Sequence, residues 1–409
     1  MQPQGDDRTP AAAAGSTHAA RASPSIELGP HLGYEFEHGE QRGAELGSRF
    51  FELLAAVIEA GSIRHAAQRL GVSYRHVWGS LKKWEGLLGE PLISWSQGRK
   101  ARPTEFATRL LWAERRARTR MQPHIEALRA TLGRVFIEAR DERYKVLTVR
   151  ASHDLALPVL QQHLLDSSHL HMDIAFRGSV EALRALNDGQ CLVAGFHVPV
   201  LRGAAPVFAR ALKPLLKPRH HRLIACLRRM QGLMVRREHA PLLRVFPDIA
   251  RHRLRFVNRQ VGSGTRMLLE HLLHEHSLPS AALGAGYAHT ELTHVAVALC
   301  VASGVADAGL GVEAAALEFG LHFLPVVEEN YFLACLDENV THPAVHCLQA
   351  ALRGARWREI LAGLPGYLTA PDAGELLVIE EALPWWQRPR SPARPSFGGV
   401  RADEPNSDR

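Results

Sequence analysis

The sequence predicts a multidomain chain. An N-terminal, all-α block of short helices with a basic hairpin and one long linker helix precedes a two-lobed α/β domain. Three observations carry this. Charge is segregated: Ser48 to Arg143 holds 18 Lys+Arg against 10 Asp+Glu, while the whole chain is only +7. Apolar residues in that basic block recur at helical spacing. Beyond it, short β-rich runs repeatedly end at small polar residues that open a helix, the alternation of an α/β fold. The 409 residues suffice for two or three domains.

Composition narrows the class. Hydrophobic residues make up 46% and charged residues 22%, ordinary for a globular chain. A basic block beside a near-neutral one suits a part that meets a polyanion and a part with another task. The five cysteines (Cys191, Cys226, Cys300, Cys335, Cys347) form no CxxC pair, which reads as reduced thiols in a cytoplasmic protein. No signal pattern opens the chain, and no stretch reaches the roughly 20 apolar residues of a membrane span. No membrane partner is expected.

Residues 1–46 are rich in Ala, Gly, Pro and charge and read as a disordered extension. From there "FFELLAAVIEAGSIRHAAQRLGVSYRHVWGSLKKWEGLLG" carries three helices. Phe51, Leu54, Ala55 and Ile58 share one face, and Gly61 ends that helix. Ser62 caps the next, with Ile63, Ala66, Ala67 and Leu70 inward. Gly71 turns the chain, and Ser73 caps a third helix that buries Val77, Leu81, Trp84 and Leu88. Ala66 and Ala67 let two helices cross closely. Together these are the marks of a helix-turn-helix over 47–103. Its third helix leaves Tyr74, Arg75, His76, Gly79, Lys82 and Lys83 outward. Residues at its start suit base edges, and Lys82 and Lys83 suit phosphates. The stretch after it offers two short strands tipped by Arg99, Lys100 and Arg102, a wing. The predicted DNA-binding set is Ser73, Tyr74, Arg75, His76, Lys82, Lys83, Arg99, Lys100 and Arg102, and the partner is double-stranded DNA.

Residues 104–143 read as a long linker helix. Phe106, Leu110, Ala113 and Ala117 line one face, continued by Ile125, Leu128, Leu132 and Val135 beyond Pro123, which kinks or divides it. The stripe fits a homodimer seam or packing on its own domain; the dimer is favoured, because such modules read two half-sites.

Residues 144–375 read as the α/β domain, and 376–409, rich in Pro, Arg and Ser, as a flexible tail on which Trp385 and Trp386 can still pack. Strands end at Ser152-His153-Asp154, at Arg177-Gly178-Ser179 and at "VGSGTR", residues 261–266, each opening a helix. A helix N-terminus offers unpaired N–H groups and a positive dipole end. Three converging on one point hold a compact anion. The predicted ligand contacts are Ser152, Ser179, Ser263, Gly264, Thr265 and, more weakly, Thr293 and His294. Helix capping alone also explains each Ser and Thr. Arg266 either balances the anion's charge or faces solvent; in the cleft it would favour an organic carboxylate.

Enzyme signatures are missing. "VGSGTR" lacks the lysine of a phosphate-binding P-loop, the first glycine of a nucleophile elbow and the G-x-G-x-x-G spacing. His271, His274 and His276 cluster in sequence, but no Cys or carboxylate pattern completes a metal site. No catalytic residue and no metal ligand is assigned.

Two stretches resemble known families. "GSIRHAAQRLGVSYRHVWGSLKKWEGLLGEPLI" is similar to the winged helix of ModE-type molybdate-responsive regulators and, more distantly, of LysR-type regulators. It departs where Pro103-Thr104-Glu105-Phe106-Ala107 replaces the usual Leu-Thr-Pro-x-Gly. "FVNRQVGSGTRMLLEHLL" and "GYAHTELTHVAVALCVASGVADAGLGVEAAALEFGLHFLPVVEENYFLACL" resemble the periplasmic-binding-protein-like domain fused to such winged helices. The resemblance implies a ligand-sensing transcription regulator. It places lobe one first, a crossing near residue 250 and a return after about residue 322. A molybdate- or tungstate-type oxyanion is the leading ligand; an organic carboxylate or a pterin is the alternative. No covalent cofactor is implied. The chain shows no small β-barrel of the kind that binds molybdate in ModE proteins.

Overall fold

A computed structural model describes residues 34–38, 41–94, 102–140, 145–201 and 205–386. The first part is a strand pair, β1 (Tyr34–His38) and β2 (Gln41–Leu46), then helices α1 (Ser48–Ala60), α2 (Ile63–Leu70) and α3 (Tyr74–Leu88). The pair β1–β2 corrects the expectation of disorder up to residue 46. Its Tyr34 ring packs edge-on against Phe51 at 5.8 Å, an apolar contact that a disordered leader would lack. Residues 1–33 lie outside the described residues.

The caps act as their chemistry predicts. Ser62 Oγ accepts from His65 N, and Ser73 Oγ accepts from His76 N. Gly61, Gly71 and Gly89 end the three helices with φ between 60° and 72°, where a side chain would be strained. Phe50, Leu54, Val57, Ala66, Val77 and Leu81 form the core of this block, but Leu70 stays 37% exposed. Strands β3 (Ile93–Ser94) and β4 (Arg102–Pro103) pair antiparallel as the base of the wing. Glu85 of α3 accepts from the backbone N–H of Leu92 and Ile93 and so ties the wing to α3.

Helix α4 (Glu105–Arg140) runs unbroken for 36 residues with Pro123 inside it. Its buried face near the winged helix passes through Ala107, Leu111 and Glu114, one position off the predicted stripe, and Ala113 is exposed. Arg115 pairs with Glu59 of α1 at 2.7 Å, fixing the helix to the winged block.

The rest is one mixed sheet flanked by helices. Its strands are β5 (Lys145–Ala151), β6 (Leu170–Phe176), β7 (Val193–Pro199), β8 (His221–Val235), β9 (Phe256–Arg259), β10 (Thr290–Glu291), β11 (Ala308–Val312), β12 (His322–Leu336), β13 (Tyr367–Thr369) and β14 (Leu376–Leu377). The helices are α5 (Leu157–Ser168), α6 (Ser179–Asn187), α7 (Pro206–Leu212), α8 (Asp248–Arg251), α9 (Gly264–Glu275), α10 (His294–Ala302), α11 (Glu313–Glu318), α12 (Pro343–Arg353), α13 (Ala355–Ala362) and α14 (Ile379–Ala382). The sheet order β10-β9-β11-β8-β12-β7-β5-β6 separates two lobes, β6-β5-β7 and β11-β9-β10. Strands β8 and β12, 15 residues each, pair antiparallel along their length and belong to both lobes. The crossing therefore lies within β8 rather than near residue 250, because one long strand makes it. The return through β12 starts at 322, as the resemblance implies. Bulges at Pro325/Val327 and Tyr331/Phe332 bend β12 where it passes between lobes.

The tail boundary also moves. β14 pairs with β8, and Ile379, Leu383 and Trp385 join the core, so the domain continues to residue 386. The apolar spacing there was hidden among polar and proline residues. Residues 387–409 lie outside the described residues.

Candidate functional site

Helices α5, α6, α9 and α10 start where strands of the two lobes end. Between them lies a sealed polar cluster. Ser152, His153, Asp154, Ser179, His197, Arg229, Gln231, Arg259, Ser263, Thr265, His294 and Glu329 are each buried. Such a concentration inside an apolar fold is costly unless every group is satisfied.

One half of the cluster is largely satisfied, with Glu329 Oε1 and Gln231 Oε1 its buried atoms without a partner. Arg229 of β8 donates through Nε and Nη2 to Glu329 Oε2 at 3.1 and 3.0 Å, and through Nη1 to Asp154 Oδ2 at 2.7 Å. Tyr367 Oη donates to the same Asp154 oxygen, and Asp154 Oδ1 accepts from Ala156 N at the start of α5. Gln231 bonds Glu329 Oε2 and Thr265 Oγ1. Burial alone would raise the Asp154 carboxyl; the His197 imidazole, the Arg229 guanidinium and the Ala156 N–H outweigh it and hold it well below the carboxylate range.

The other half is not satisfied. Arg259, at the end of β9, is 2% exposed and gives Nη2 to Leu292 O, but its Nε and Nη1 have no partner. Among the described residues no carboxylate forms an ion pair with it. Burial, then repulsion by Arg229, pulls its guanidinium down to about 9. Ser179 Oγ, His153 Nδ1, His294 Nδ1 and both ring nitrogens of His197 also lack hydrogen bonds. His197 Nε2 stands 3.6 Å from Asp154 Oδ2, beyond bonding distance. Burial and then the Arg259 charge push His153 down to about 3. Burial and then Arg229 push His197 down to about 4, and His294 is lowered for the reasons that act on His153. The imidazoles are neutral. A positive guanidinium, a hydroxyl and neutral imidazoles without partners make a place for a negative group.

The structure brings Ser152, Ser179, Ser263, Gly264 and Thr265 to this one region, yet their chemistry differs from the expectation. Ser263 Oγ donates to Gln260 O and accepts from Arg266 N, so its hydroxyl serves the cap and not a ligand. Thr265 Oγ1 accepts from Gln231, and Thr293 Oγ1 accepts from Ala296 N as a cap. Gly264 allows a close approach, but to the opposite lobe: a Cβ there would lie 3.2 Å from His197 Cβ. Ser152 contributes its backbone carbonyl to Tyr331 Oη. Ser179 alone keeps a buried hydroxyl with no partner. Arg266 turns away; it bonds Glu270 and stacks over Tyr287 at 4.0 Å. Arg259, Arg229, His153 and His197 were missed, while His294, a weaker candidate, does line the cluster. The signal for Arg259 was a charged residue closing "FVNR", a strand whose four residues are all buried.

On α3 and the wing the predicted outward residues lie at the surface. Tyr74, Arg75, His76, Lys82, Lys83 and Arg102 are exposed, and Ser73 caps α3. Lys82 is not free, since it pairs with Glu85 at 2.7 Å. Trp78, 42% exposed and one turn after Tyr74, adds an apolar surface the sequence reading left out. Arg99 and Lys100 lie outside the described residues.

Helix α4 links this head to both lobes. Arg134 pairs with Asp173 of β6 at 3.2 Å, and His171 Nε2 meets Ala130 O at 3.0 Å. Arg120 binds both oxygens of Glu291, on β10 in the other lobe. Met121, Leu128, Leu132 and Val135 remain exposed on α4.

Fold and site define a DNA-reading head joined to a two-lobed ligand-binding domain. Residues 48–108 match the bacterial regulatory helix-turn-helix proteins of the lysR family, and residues 161–353 match the PBP superfamily domain. The chain thus carries a helix-turn-helix segment of lysR-family type and a domain of the PBP superfamily. It is 27% identical over 219 residues to the uncharacterized protein YvgK of Bacillus subtilis (strain 168), which covers 54% of this chain and 70% of that protein. An uncharacterized protein from the 5′ region of a 2Fe-2S ferredoxin gene in Clostridium pasteurianum is 32% identical over 83 residues, 20% of this chain and 74% of that protein; the two belong to one family. The molybdenum-pterin-binding protein MopB of Rhodobacter capsulatus is 37% identical over 62 residues, 15% of this chain and 23% of that protein. Among solved structures, an OxyR mutant of Corynebacterium glutamicum aligns over 76% of this chain and 94% of its own, at 16% identity and a TM-score of 0.37. No helix among the described residues is long and apolar enough to cross a membrane.

Two outcomes follow from this geometry. Arg75→Ala should reduce discrimination between operator and random DNA by about 1–3 kcal/mol, whereas Lys83→Ala should weaken all sequences alike; gel-shift titrations at several salt concentrations separate the two. The neutral histidines set an acid limit. His153 and His197 take up protons near pH 6.5 when unfolded but only near about 3 and 4 when folded. Stability is therefore full above about pH 6.5 and falls as pH drops toward 4, by up to about 1.4 kcal/mol per pH unit for each ring. Thermal melts across that range should show this slope, and His153→Asn with His197→Asn should flatten it.

Proposed function

We propose that this chain is a homodimeric regulator, related to the ModE type, that works in the cytoplasm and whose DNA binding answers to a small oxyanion held between its lobes. The observation that carries the reading is Arg259: a buried guanidinium whose Nε and Nη1 have no partner, near His153 and His294 in a cluster that also holds the unpartnered Ser179 hydroxyl. Four helix starts add positive dipole ends to the same region. An anion there restores a counter-charge to Arg259 and accepts from groups that otherwise lose hydrogen bonds. The similarity to MopB supports an oxyanion of the molybdate or tungstate type. A small organic carboxylate is the second reading, since a buried guanidinium without a counter-charge also suits a carboxylate. Gly178 and Gly262 close the lips: a Cβ on Gly178 would stand 2.9 Å from Gly262 O. The polar cluster is sealed beneath them, so a ligand enters by parting of the lobes, and the anion favours the closed arrangement.

Arg259 also gives the test. Arg259→Met removes a buried charge without a partner, so the ligand-free protein should melt at a higher temperature. The same change should weaken anion binding by about two decades or more. Calorimetry with molybdate, tungstate, sulfate and a panel of carboxylates reads the affinity. Binding that is unchanged in Arg259→Met, or absent for every anion in the wild type, overturns the reading.

The dimer rests on the exposed apolar residues of α4. Leu128, Leu132 and Val135 are 59%, 50% and 56% exposed on a helix already anchored by its other face. Leu128→Glu with Leu132→Glu should give folded monomers by light scattering, and a double variant that stays dimeric places the seam elsewhere.

A further inference from the structure

Outside the interlobal site, a second cluster lies where α4 meets the lobe of β9 and β10. His289 Nε2 stands 3.4 Å from Glu291 Oε1, and Cys300 Sγ donates to the same oxygen at 3.3 Å. The three donor atoms lie within 4.8 Å of one another. A tetrahedral zinc ion, with bonds of about 2.0–2.3 Å, holds its ligand atoms roughly 3.3–3.7 Å apart, so two of the three spacings already suit it. Glu291 and Cys300 are buried, while His289 is 34% exposed at its side chain and gives the cluster an opening to solvent. A nitrogen, an oxygen and a sulfur on one side of a point, with solvent on the other, form a three-ligand set for a borderline-soft cation.

We propose that His289, Glu291 and Cys300 bind a divalent cation of the zinc type, with water as fourth ligand, in competition with Arg120. Arg120 occupies both oxygens of Glu291, but its side chain is 54% exposed and free to swing into solvent. The cation takes Oε1 from Arg120 and displaces the thiol proton of Cys300 into solvent. The resulting thiolate and carboxylate balance the two positive charges of the ion. Without a cation, burial and then the Glu291 charge hold the Cys300 thiol up at about 12, so the thiol stays protonated and donates to Glu291. Binding thus weakens the Arg120–Glu291 ion pair that joins α4 to this lobe. The site would make the attachment of the linker helix sensitive to metal, independently of what occupies the interlobal cluster.

Cobalt(II) and zinc(II) added to the full-length protein test this. Cobalt should produce one equivalent of thiolate-to-metal charge-transfer absorption with release of a proton, and zinc should erase the band by displacing the cobalt. Cys300→Ser should abolish the band. His289→Ala, at a partly exposed position that leaves the core intact, should weaken zinc binding by about tenfold or more. Arg120→Ala should tighten it severalfold, an effect that a purely structural ion pair would not produce. No thiolate band in either wild type or Arg120→Ala overturns the proposal. So does a band that survives Cys300→Ser, or weaker binding in Arg120→Ala.

Discussion

The pairing of Arg229 with Glu329 and Asp154 is the constraint on which the two-lobed domain depends. Arg229 and Glu329 lie on β8 and β12, the strands common to both lobes, and Asp154 sits at the mouth of α5. With side chains at most 1% exposed, these three charges hold the crossing strands in one register. A buried ion pair adds little net stability, because desolvation offsets its attraction. Removing one member, however, leaves an uncompensated charge in the core. The network therefore fixes where the strands cross, and with that, which helix starts face each other.

That arrangement explains why Arg259 stands out. Both nearby carboxylates are committed to Arg229, and Gln231 takes a further share of Glu329. Arg259 is left with a carbonyl and the more distant charges of Glu329 and Glu291. The same sheet that orders one arginine leaves the other in want of an anion. The side chain least favourable to stability is thus the one the proposed anion would satisfy, a common condition of functional sites.

The helical head was legible in the sequence because its determinants are local. Ser62 and Ser73 cap, Gly61 and Gly71 end helices, and apolar spacing selects the buried faces. Those signals act within a few residues, and the structure uses each of them. In the α/β domain the strand ends and helix starts were also legible, and Ser152, Ser179, Ser263, Gly264 and Thr265 do share one region. What the sequence did not reveal was which hydroxyls are already used. Ser263 and Thr293 look the same as Ser179 in sequence, but their oxygens are consumed by Arg266 N and Ala296 N. Nor did "FVNR" or "LRRMQG" announce buried guanidiniums, because burial there comes from strands more than 30 residues away. The dipeptide Trp385-Trp386 was a better guide than the composition around it: Trp385 belongs to the core.

Helix α4 is also a lever. It is clamped to one lobe by Arg134 and Asp173 and to the other by Arg120 and Glu291, and to the head by Arg115 and Glu59. At about 1.5 Å per residue, its Glu105 end stands about 22 Å beyond the Arg120 clamp. Any change in the angle between the lobes turns the rod that joins them. A tilt of about ten degrees carries the head by about 4 Å, close to the rise of one base pair, about 3.4 Å. A small rotation of the lobes is thereby magnified into a displacement of several ångströms at the winged helix.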